Sequence, residues 1–324
     1  MVFIDWFYPA YKAGGPIKSI FHIAENLSKH IDFFIYCSNR DLDGEVQDVK
    51  TDQWIVNEHF KVKYSSQPLN KKDYTSLFDE VKPQVLYFNN LFSLNYTIKP
   101  LWFYKKSSAK KIIAPRGMLG KGALKLKTFK KKLFIHFAKQ FLFSSDILWH
   151  ASTSLEEQEI KDEIGKNTKV CVAKNLSSKP LKRKLEKINK EKGELKLVFI
   201  SRVSEKKNLH FILELLSQFE EKIQITLDIF GPIEDEIYWK KARRFIDLDK
   251  RINYKGILKP TEINSILINY HFFVLPTLHE NFGHAITESI NMGVPVFLSK
   301  NTPWRNLEAN KVGFDIELNN NSKW

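Results

Sequence analysis

Two carboxylates, Glu280 and Glu288, stand eight residues apart around the start of a predicted helix. An apolar run at 272–276 precedes them and Gly283 lies between them, which predicts a strand, a glycine loop and a short helix, with a second strand over 294–298. Eight residues of helical path cover about 12 Å, enough to serve two ends of an extended nucleotide-sugar. The unsatisfied N–H groups of the first helical turn suit a diphosphate between them. The alternative is a helix with a capping residue and a solvated glutamate.

The residues around this pair resemble a known signature. The chain has Glu280-Asn281-Phe282-Gly283, then Glu288-Ser289, then Gly293-Val294-Pro295-Val296. This resembles the Glu-x7-Glu signature of retaining glycosyltransferases with the GT-B fold, particularly family 4 (group 1) and its polysaccharide-biosynthesis subgroup. The resemblance implies an α/β fold in which two Rossmann-like domains with parallel sheets face each other across a cleft. It also implies sugar transfer from a nucleoside diphosphate donor to an acceptor hydroxyl, with retention at the anomeric carbon.

A second motif follows the predicted strand at 195–201. The segment Arg202-Val203-Ser204-Glu205-Lys206-Lys207-Asn208-Leu209 resembles the family's Gly/Ser-Arg-Leu…Lys-Gly-Leu motif. Arg202 and Lys207 match its basic pair, whose physical role is to neutralise the leaving nucleoside diphosphate. Asn208 stands where glycine is usual, and asparagine tolerates a positive φ. Without the resemblance, the same residues are a charged turn after a strand.

The resemblance also implies roles for single residues. Glu280 would contact hydroxyls of the transferred sugar and stabilise positive charge near its ring, as one of two candidate catalytic residues. Glu288 would bind the ribose hydroxyls, and Asn281, Phe282, Gly283 and His284 would present backbone N–H groups to sugar or phosphate. Enzymes of the resembled fold usually work without a metal ion, so we expect neither a metal nor any cofactor besides the donor substrate. The departing phosphate would take the acceptor's proton during same-face attack.

Near the N-terminus, Gly14-Gly15 separates a predicted strand at 2–6 from a predicted helix at 17–29. Two glycines in such a loop let the backbone approach a ligand closely. They do not match the dinucleotide-binding fingerprint, and a plain turn is the alternative. The resembled family places a Gly-Gly loop against the donor phosphates and the acceptor, so Gly14 and Gly15 are candidate donor-binding residues.

Arg116-Gly117 follows the predicted strand at 111–114. In related subgroups a His-Gly pair often stands at this place, so the sequence departs from that pattern. A guanidinium could hold a phosphate or an acceptor oxygen through paired donors, which makes Arg116 the second candidate catalytic residue. The alternative is an ordinary salt-bridge former.

Strands alternate with helices along most of the chain, which predicts βαβ units. We predict an N-terminal acceptor-side domain at 1–176, a polar linker at 177–194 and a nucleotide-sugar-binding domain at 195–324. Members of the resembled family usually continue for several more helices, so the chain looks short at its C-terminus.

The formal net charge is +14. It indicates either an anionic partner or a general excess of lysine without a functional role. Lysines interleave with phenylalanine and leucine over Lys121–Phe143, which is typical of a helix on an anionic membrane surface. A core-facing helix with a solvated lysine face is the alternative; RNA binding is disfavoured because no nucleic-acid module accompanies it. We expect a nucleotide-sugar donor, a sugar or lipid-linked sugar acceptor, and no nucleic acid.

No signal peptide or membrane-spanning run is visible. Cys37 and Cys171 lie in apolar runs, so we expect both thiols to be buried and free, as in a reducing cytoplasm. The expected location is the cytoplasm, with peripheral binding to the inner face of the plasma membrane. The rival functions are a catalytically inactive homologue that acts as a binding protein, and a GT-B-like NDP-sugar epimerase.

Overall fold

The structure is a computed structural model that describes residues 1–120, 128–177, 191, 193–220, 224–320 and 322–324. It divides into two compact units, Met1–Leu176 and Ser177–Trp324, called unit 1 and unit 2 below. Most of the predicted linker lies outside the described residues, as do residues 121–127 of the predicted basic helix.

The described part of unit 1 contains one eight-stranded sheet in the order β3-β4-β2-β1-β5-β6-β7-β8. All neighbouring strands are parallel apart from the antiparallel pair β3–β4. The strands are β1 Val2–Phe3, β2 Phe34–Ser38, β3 Trp54–Val56, β4 Lys61–Ser65, β5 Val85–Phe88, β6 Lys110–Ile113, β7 Leu148–Ala151 and β8 Val170–Val172. The α-helices are α1 Gly15–Leu27, α2 Lys71–Val81, α3 Lys99–Phe103, α4 Thr128–Phe141 and α5 Ser154–Ile164, with a π-helical turn at Leu94–Ile98 before α3.

The described part of unit 2 contains one six-stranded, fully parallel sheet in the order β11-β10-β9-β12-β13-β14. Its strands are β9 Leu195–Ile200, β10 Ile225–Phe230, β11 Ile252–Gly256, β12 Phe272–Leu275, β13 Val296–Ser299 and β14 Gly313–Ile316. Its α-helices are α6 Leu209–Ser217, α7 Glu236–Leu248, α8 Ile263–Leu267 and α9 His284–Asn291. The predicted α/β class with mostly parallel sheets is confirmed.

Both faces of the unit 1 sheet are covered by apolar clusters. Alternate residues of a strand point to opposite sides, so neighbouring residues enter different clusters. On β1, Phe3 belongs to one apolar cluster, whereas Val2 and the following Ile4 belong to the other. Unit 2 has its own apolar cluster around β9, β10, β12 and β13. Each sheet is thus held by its own core, which fixes the positions of the loops at its strand ends.

Helix ends follow local capping chemistry. Asn70 and Asp73 form a capping box at the start of α2, and Thr153 caps α5 through its hydroxyl. At α1, Pro16 occupies the first turn, where its missing N–H leaves no bond unmade.

Several expectations need correction. The first strand ends at Phe3 rather than Trp6, and β3, β8, β14, α3 and α6 were not predicted. The thiol of Cys171 is exposed on β8, whereas Cys37 is buried as expected. Both thiols are free. None of the described helices is both long and apolar enough to cross a membrane.

Candidate functional site

In unit 2, the loops that follow β9, β12 and β13 lie side by side at one sheet edge. Because these strands are adjacent and parallel, their carboxyl ends meet at that edge. Ligands in open α/β sheets bind at this edge. The first two loops, 201–208 and 276–283, carry the sequence motifs and are called the β9 loop and the β12 loop below.

The β9 and β12 loops are tied to each other by hydrogen bonds. The carbonyl oxygen of Lys206 accepts from the backbone N–H of Leu278 and from the hydroxyl of Thr277, both at 2.9 Å. Asn208 donates its amide N–H to the carbonyl oxygen of Pro276 at 2.9 Å. Asn208 has a φ of 53°, so the positive φ that its position suggested is present.

Lys207 and Glu280 form an ion pair between these two loops. The Lys207 Nζ donates to Glu280 Oε2 at 2.6 Å, and the two side chains are 9% and 15% exposed. An ammonium group carries three N–H donors, so two remain on Lys207 beyond this bond. The Glu280 backbone N–H donates to the carbonyl oxygen of Asn301 at 3.0 Å, which anchors the β12 loop to the loop after β13.

The electrostatic environment keeps Glu280 ionised. Burial by itself raises the pKa of this carboxyl, but the charge and hydrogen bond of Lys207, together with Lys206 and the Asn281 N–H, lower the pKa to about 2. The Asn281 N–H donates to Glu280 Oε1 at 3.0 Å. This amide, which was expected to face sugar or phosphate, therefore already serves Glu280.

Gly283 sets the entry into α9. It has a φ of 79°, and a Cβ added there would lie 2.5 Å from Ile286 Cδ1 and 3.2 Å from Glu280 Cγ. Only glycine fits this backbone and space without displacement. The Phe282 carbonyl oxygen accepts from Trp304 Nε1 at 2.6 Å, and the Phe282 ring packs edge-on against His284 at 4.9 Å between centroids.

Arg202 does not join the Lys207–Glu280 pair. Its Nη1 donates to Glu234 at 2.6 Å, and the two side chains are 37% and 43% exposed. The two members of the predicted basic pair therefore have different environments, one buried and one near solvent. Glu288 is half-buried on the second turn of α9.

The other predicted site residues lie in unit 1. Gly14 has a φ of 70° and precedes α1, and Gly15 is the first residue of that helix rather than part of the loop. The preceding loop is held by Asp41, whose carboxylate accepts from the backbone N–H groups of Tyr11 and Lys12.

Arg116 is the centre of a hydrogen-bond network at the strand ends of unit 1. Its Nε donates to Asn89 Oδ1 at 2.7 Å, its Nη1 to Asn175 Oδ1 at 2.5 Å, and its Nη2 to the Tyr87 hydroxyl at 2.9 Å. Tyr87 lies 2.5 Å from His150 Nδ1. Among the described residues Arg116 forms no salt bridge, so the ordinary ion-pair interpretation does not hold there.

Sequence reasoning missed the partners of Arg116. Burial raises the pKa of Tyr87 against the opposing Arg116 charge, and burial together with Arg116 lowers the pKa of His150. Both groups are therefore neutral at physiological pH. The available signal was weak: Asn89 closes the apolar run at 85–88, where a turn-forming role is the ordinary explanation, and no sequence pattern singles out Asn175.

The folds of the two units indicate a class of protein. Two units, each with a mostly parallel sheet and flanking helices, constitute the GT-B fold of glycosyltransferases. The chain is similar over 96% of its length, and over 84% of the other chain, to HepE (Alr3699) of Anabaena in complex with UDP and glucose, with a TM-score of 0.61 and 14% identity. It is similar to sucrose-phosphate synthase of Thermosynechococcus elongatus over 90% of this chain and 77% of that one, with a TM-score of 0.68 and 12% identity.

Residues 181–323 match the family model described as glycosyl transferases group 1. The matched stretch includes all of the residues of the β9 and β12 loops. A curated relative is alpha-monoglucosyldiacylglycerol synthase of Streptococcus pneumoniae (strain ATCC BAA-255 / R6), 24% identical over 135 residues. The match spans 41% of this chain and 30% of the relative's length.

Proposed function

We propose that the protein is a retaining glycosyltransferase that moves a sugar from a nucleoside diphosphate donor to an acceptor hydroxyl. The observation that carries this proposal is the Lys207–Glu280 pair, at 2.6 Å, between two loops that are fixed to each other. It places a cation with two remaining donors next to a carboxylate that stays ionised. A diphosphate and an electron-poor sugar ring need these two groups side by side.

In the proposed reaction, the acceptor oxygen forms a bond to the anomeric carbon while the bond from that carbon to the donor phosphate breaks. The acceptor's proton passes to an oxygen of the departing phosphate on the same face. Lys207 stabilises the negative charge that develops on that phosphate, and Glu280 stabilises the positive charge that develops near the sugar ring. Both effects are larger in the transition state than in the bound substrates.

We propose further that no metal ion takes part. Lys206 and Lys207 supply adjacent positive charges at the β9 loop, and a diphosphate bound there would have its charge balanced by side chains. Turnover in the presence of EDTA should equal turnover without it. Strict dependence on added Mg²⁺ would contradict this part of the proposal.

We propose a lipid-linked acceptor at the cytoplasmic membrane surface, as in polysaccharide biosynthesis. The support is α4, where Leu133, Phe137 and Phe141 recur every four residues and are 46%, 52% and 55% exposed. The same helix buries Ile135 and Ala138 in the core, so it faces both the core and solvent. Exposed lysines at positions 130, 132 and 139 lie on the same helix, a combination that suits an anionic lipid surface.

The test is release of nucleoside diphosphate from UDP- and GDP-sugars, with Glu280→Gln as the matched variant. We expect the wild type to release nucleotide slowly without acceptor and the variant to be far slower. A wild type that binds nucleotide tightly and never turns over, with any acceptor supplied, would instead indicate the inactive binding homologue.

A further inference from the structure

Arg116 has a backbone conformation that its side chain does not favour. Its φ is 55°, and Gly117 follows with a φ of 73°. L-residues rarely adopt this region because Cβ crowds the neighbouring carbonyl oxygen, whereas glycine adopts it freely. The backbone at this position therefore gives no reason for an arginine. A strained residue held in place by its surroundings is a ground for seeking a function of its side chain.

The guanidinium is positioned by neutral groups. Its three described partners, Asn89, Asn175 and Tyr87, are two amides and a phenol. A guanidinium has five N–H donors, so two remain, one on each Nη atom. Glu156, the buried carboxylate of this region, accepts from the Gly117 N–H at 2.6 Å and from Ser152. These bonds hold the Glu156 carboxylate through donors of Gly117 and Ser152.

A relay of hydrogen bonds fixes the direction of each partner. The Ala173 carbonyl oxygen can only accept, so His150 Nε2, at 2.8 Å from it, carries the proton. His150 Nδ1 then accepts from the Tyr87 hydroxyl, and the Tyr87 oxygen accepts from Arg116. Asn89 donates its Nδ2 to the Pro16 carbonyl oxygen at 3.1 Å, which leaves its oxygen for Arg116. The guanidinium is therefore held in one orientation by hydrogen-bond partners that are themselves neutral.

The network lies at the ligand-binding edge of the unit 1 sheet. Asn89 directly follows β5, Arg116 follows β6, and Asn175 follows β8. The carboxyl ends of parallel strands share one edge, where open α/β sheets bind their ligands. A cation with two unused donors at this edge suits an anion with paired oxygens, because a guanidinium fork matches phosphate or carboxylate.

We propose that Arg116 forms an oxyanion subsite, which selects a substrate bearing a phosphate or carboxylate group in addition to the donor diphosphate. This inference rests on the proposed function, since it names the substrate class of a glycosyltransferase. Tyr87, Asn89, Asn175 and His150 are positioning residues, because they act through the arginine.

The test uses the full-length protein with UDP held at saturation, so that the diphosphate site of unit 2 is filled. Inorganic phosphate and glucuronate are titrated separately by calorimetry. We expect Arg116→Gln to weaken binding of the anion at least tenfold. Arg243→Gln, which removes an equal charge from an exposed position on α7, should leave binding unchanged. Equal affinity in the wild type and Arg116→Gln would overturn the proposal.

A second variant avoids a folding artefact. Asn175→Asp is nearly isosteric and places a carboxylate against Nη1, so it should hold the arginine, preserve the melting temperature and abolish anion binding. Retained binding in a folded Asn175→Asp protein would also overturn the proposal.

An Arg116-dependent effect with phosphate alone indicates a phosphorylated carrier, and one with glucuronate alone indicates an acidic sugar. If the proposed function is wrong, the wild type will not bind UDP. Phosphate can then be titrated without UDP, so that the Arg116 site is still tested.

Discussion

At Glu280, folding and ionisation are linked. Its pKa is about 2 in the folded chain against an ordinary value of 4.5, which corresponds to on the order of 3 kcal/mol of stability at neutral pH. Because the folded pKa is the lower one, this contribution is complete above the ordinary value and is lost as the pH falls towards 2. We predict that urea unfolding of the wild type and Glu280→Gln at several pH values will show a stability difference that narrows from pH 6 to pH 3.

A constant difference over that range would show that Glu280 is not held ionised by Lys207. The same variant should retain UDP binding while turnover falls strongly, because its charge acts on the transition state. Near-normal turnover with the true acceptor would contradict the assignment of Glu280 as catalytic.

The pair also predicts how Lys207 and Arg202 differ. Lys207→Met should weaken UDP binding by about 1–3 kcal/mol, whereas Arg202→Gln should do less, because Arg202 is partly exposed and already paired with Glu234. Calorimetry on both variants measures this order. Equal losses would mean that both groups contact the diphosphate equally.

Removing Lys207 alone leaves Glu280 as an uncompensated carboxylate, which in buried pairs typically costs about 3–5 kcal/mol. The double variant Lys207→Met/Glu280→Gln should recover part of that stability. Additive losses in this double-mutant cycle would show that the 2.6 Å contact contributes no coupling.

The family resemblance implied that Lys207 and Glu280 serve one site, but it did not imply that they bond to each other. That contact depends on β9 and β12 being neighbours, although 73 residues separate the two side chains. Strand order is set by the packing of the whole sheet, which a local pattern does not contain. The same reason explains why the neutral partners of Arg116 were not foreseen.

At the level of elements, Gly283 is the position where α9 and the β12 loop constrain each other. We predict that Gly283→Ala will destabilise the protein by more than Gly44→Ala, measured by urea unfolding. Both glycines have positive φ, but a Cβ at Gly44 meets no atom within 4 Å. Gly44→Ala therefore incurs only the conformational strain of about 1–2 kcal/mol, whereas Gly283→Ala adds overpacking of roughly 1–3 kcal/mol.

If both alanine variants lose the same stability, the contacts of Gly283 with Ile286 and Glu280 relax freely. Gly283→Ala should also weaken UDP binding, because relief of the clash displaces Glu280. Gly44→Ala should leave UDP binding unchanged.

The exposed stripe of α4 gives a prediction about membranes. Phe137→Gln/Phe141→Gln should reduce binding to anionic vesicles on the order of tenfold, since each phenylalanine that enters lipid contributes up to about 1.5–3 kcal/mol. Both rings are more than half exposed, so the melting temperature should stay unchanged. Ile237→Gln on α7, 74% exposed, is the matched control.

Element prediction from sequence worked where the apolar pattern is long. The predicted strands at 111–114, 195–201 and 272–276 match β6, β9 and β12 within one residue at each end. The short edge strands β3 and β8 were missed because they are largely exposed and lack an alternating pattern. Cys171 is exposed for the same reason, since it lies on β8 at the end of the sheet order.

For the whole molecule, the net charge of +14 adds to the attraction of the α4 face for an anionic surface. We predict co-sedimentation with phosphatidylserine-containing vesicles at low salt and release at high salt, because the Debye length shrinks from about 30 Å at 0.01 M to about 3 Å at 1 M. Charge reversal at Lys130 and Lys132 should abolish binding. Wild type that ignores anionic vesicles at low salt would exclude this attachment and point to a water-soluble acceptor.

The α/β class was predictable because strands and helices alternate along both halves of the chain, which permits parallel sheets and little else. The order of strands within each sheet was not predictable, since many strand orders are compatible with the same alternation of strands and helices. The antiparallel β3 illustrates this limit: Trp54–Val56 pairs with the next strand along the chain rather than crossing over a helix.

The bonds that converge on the Lys206 carbonyl oxygen have a kinetic consequence. Because Thr277 and Leu278 already hold the β9 and β12 loops together, a nucleotide that enters unit 2 need not wait for these segments to order. Association should therefore proceed at a rate set by diffusion and the large net charge, and it should vary little among the single-residue variants of unit 2. Their differences in affinity would then arise in residence time, so that weakened variants release nucleotide sooner rather than capture it later.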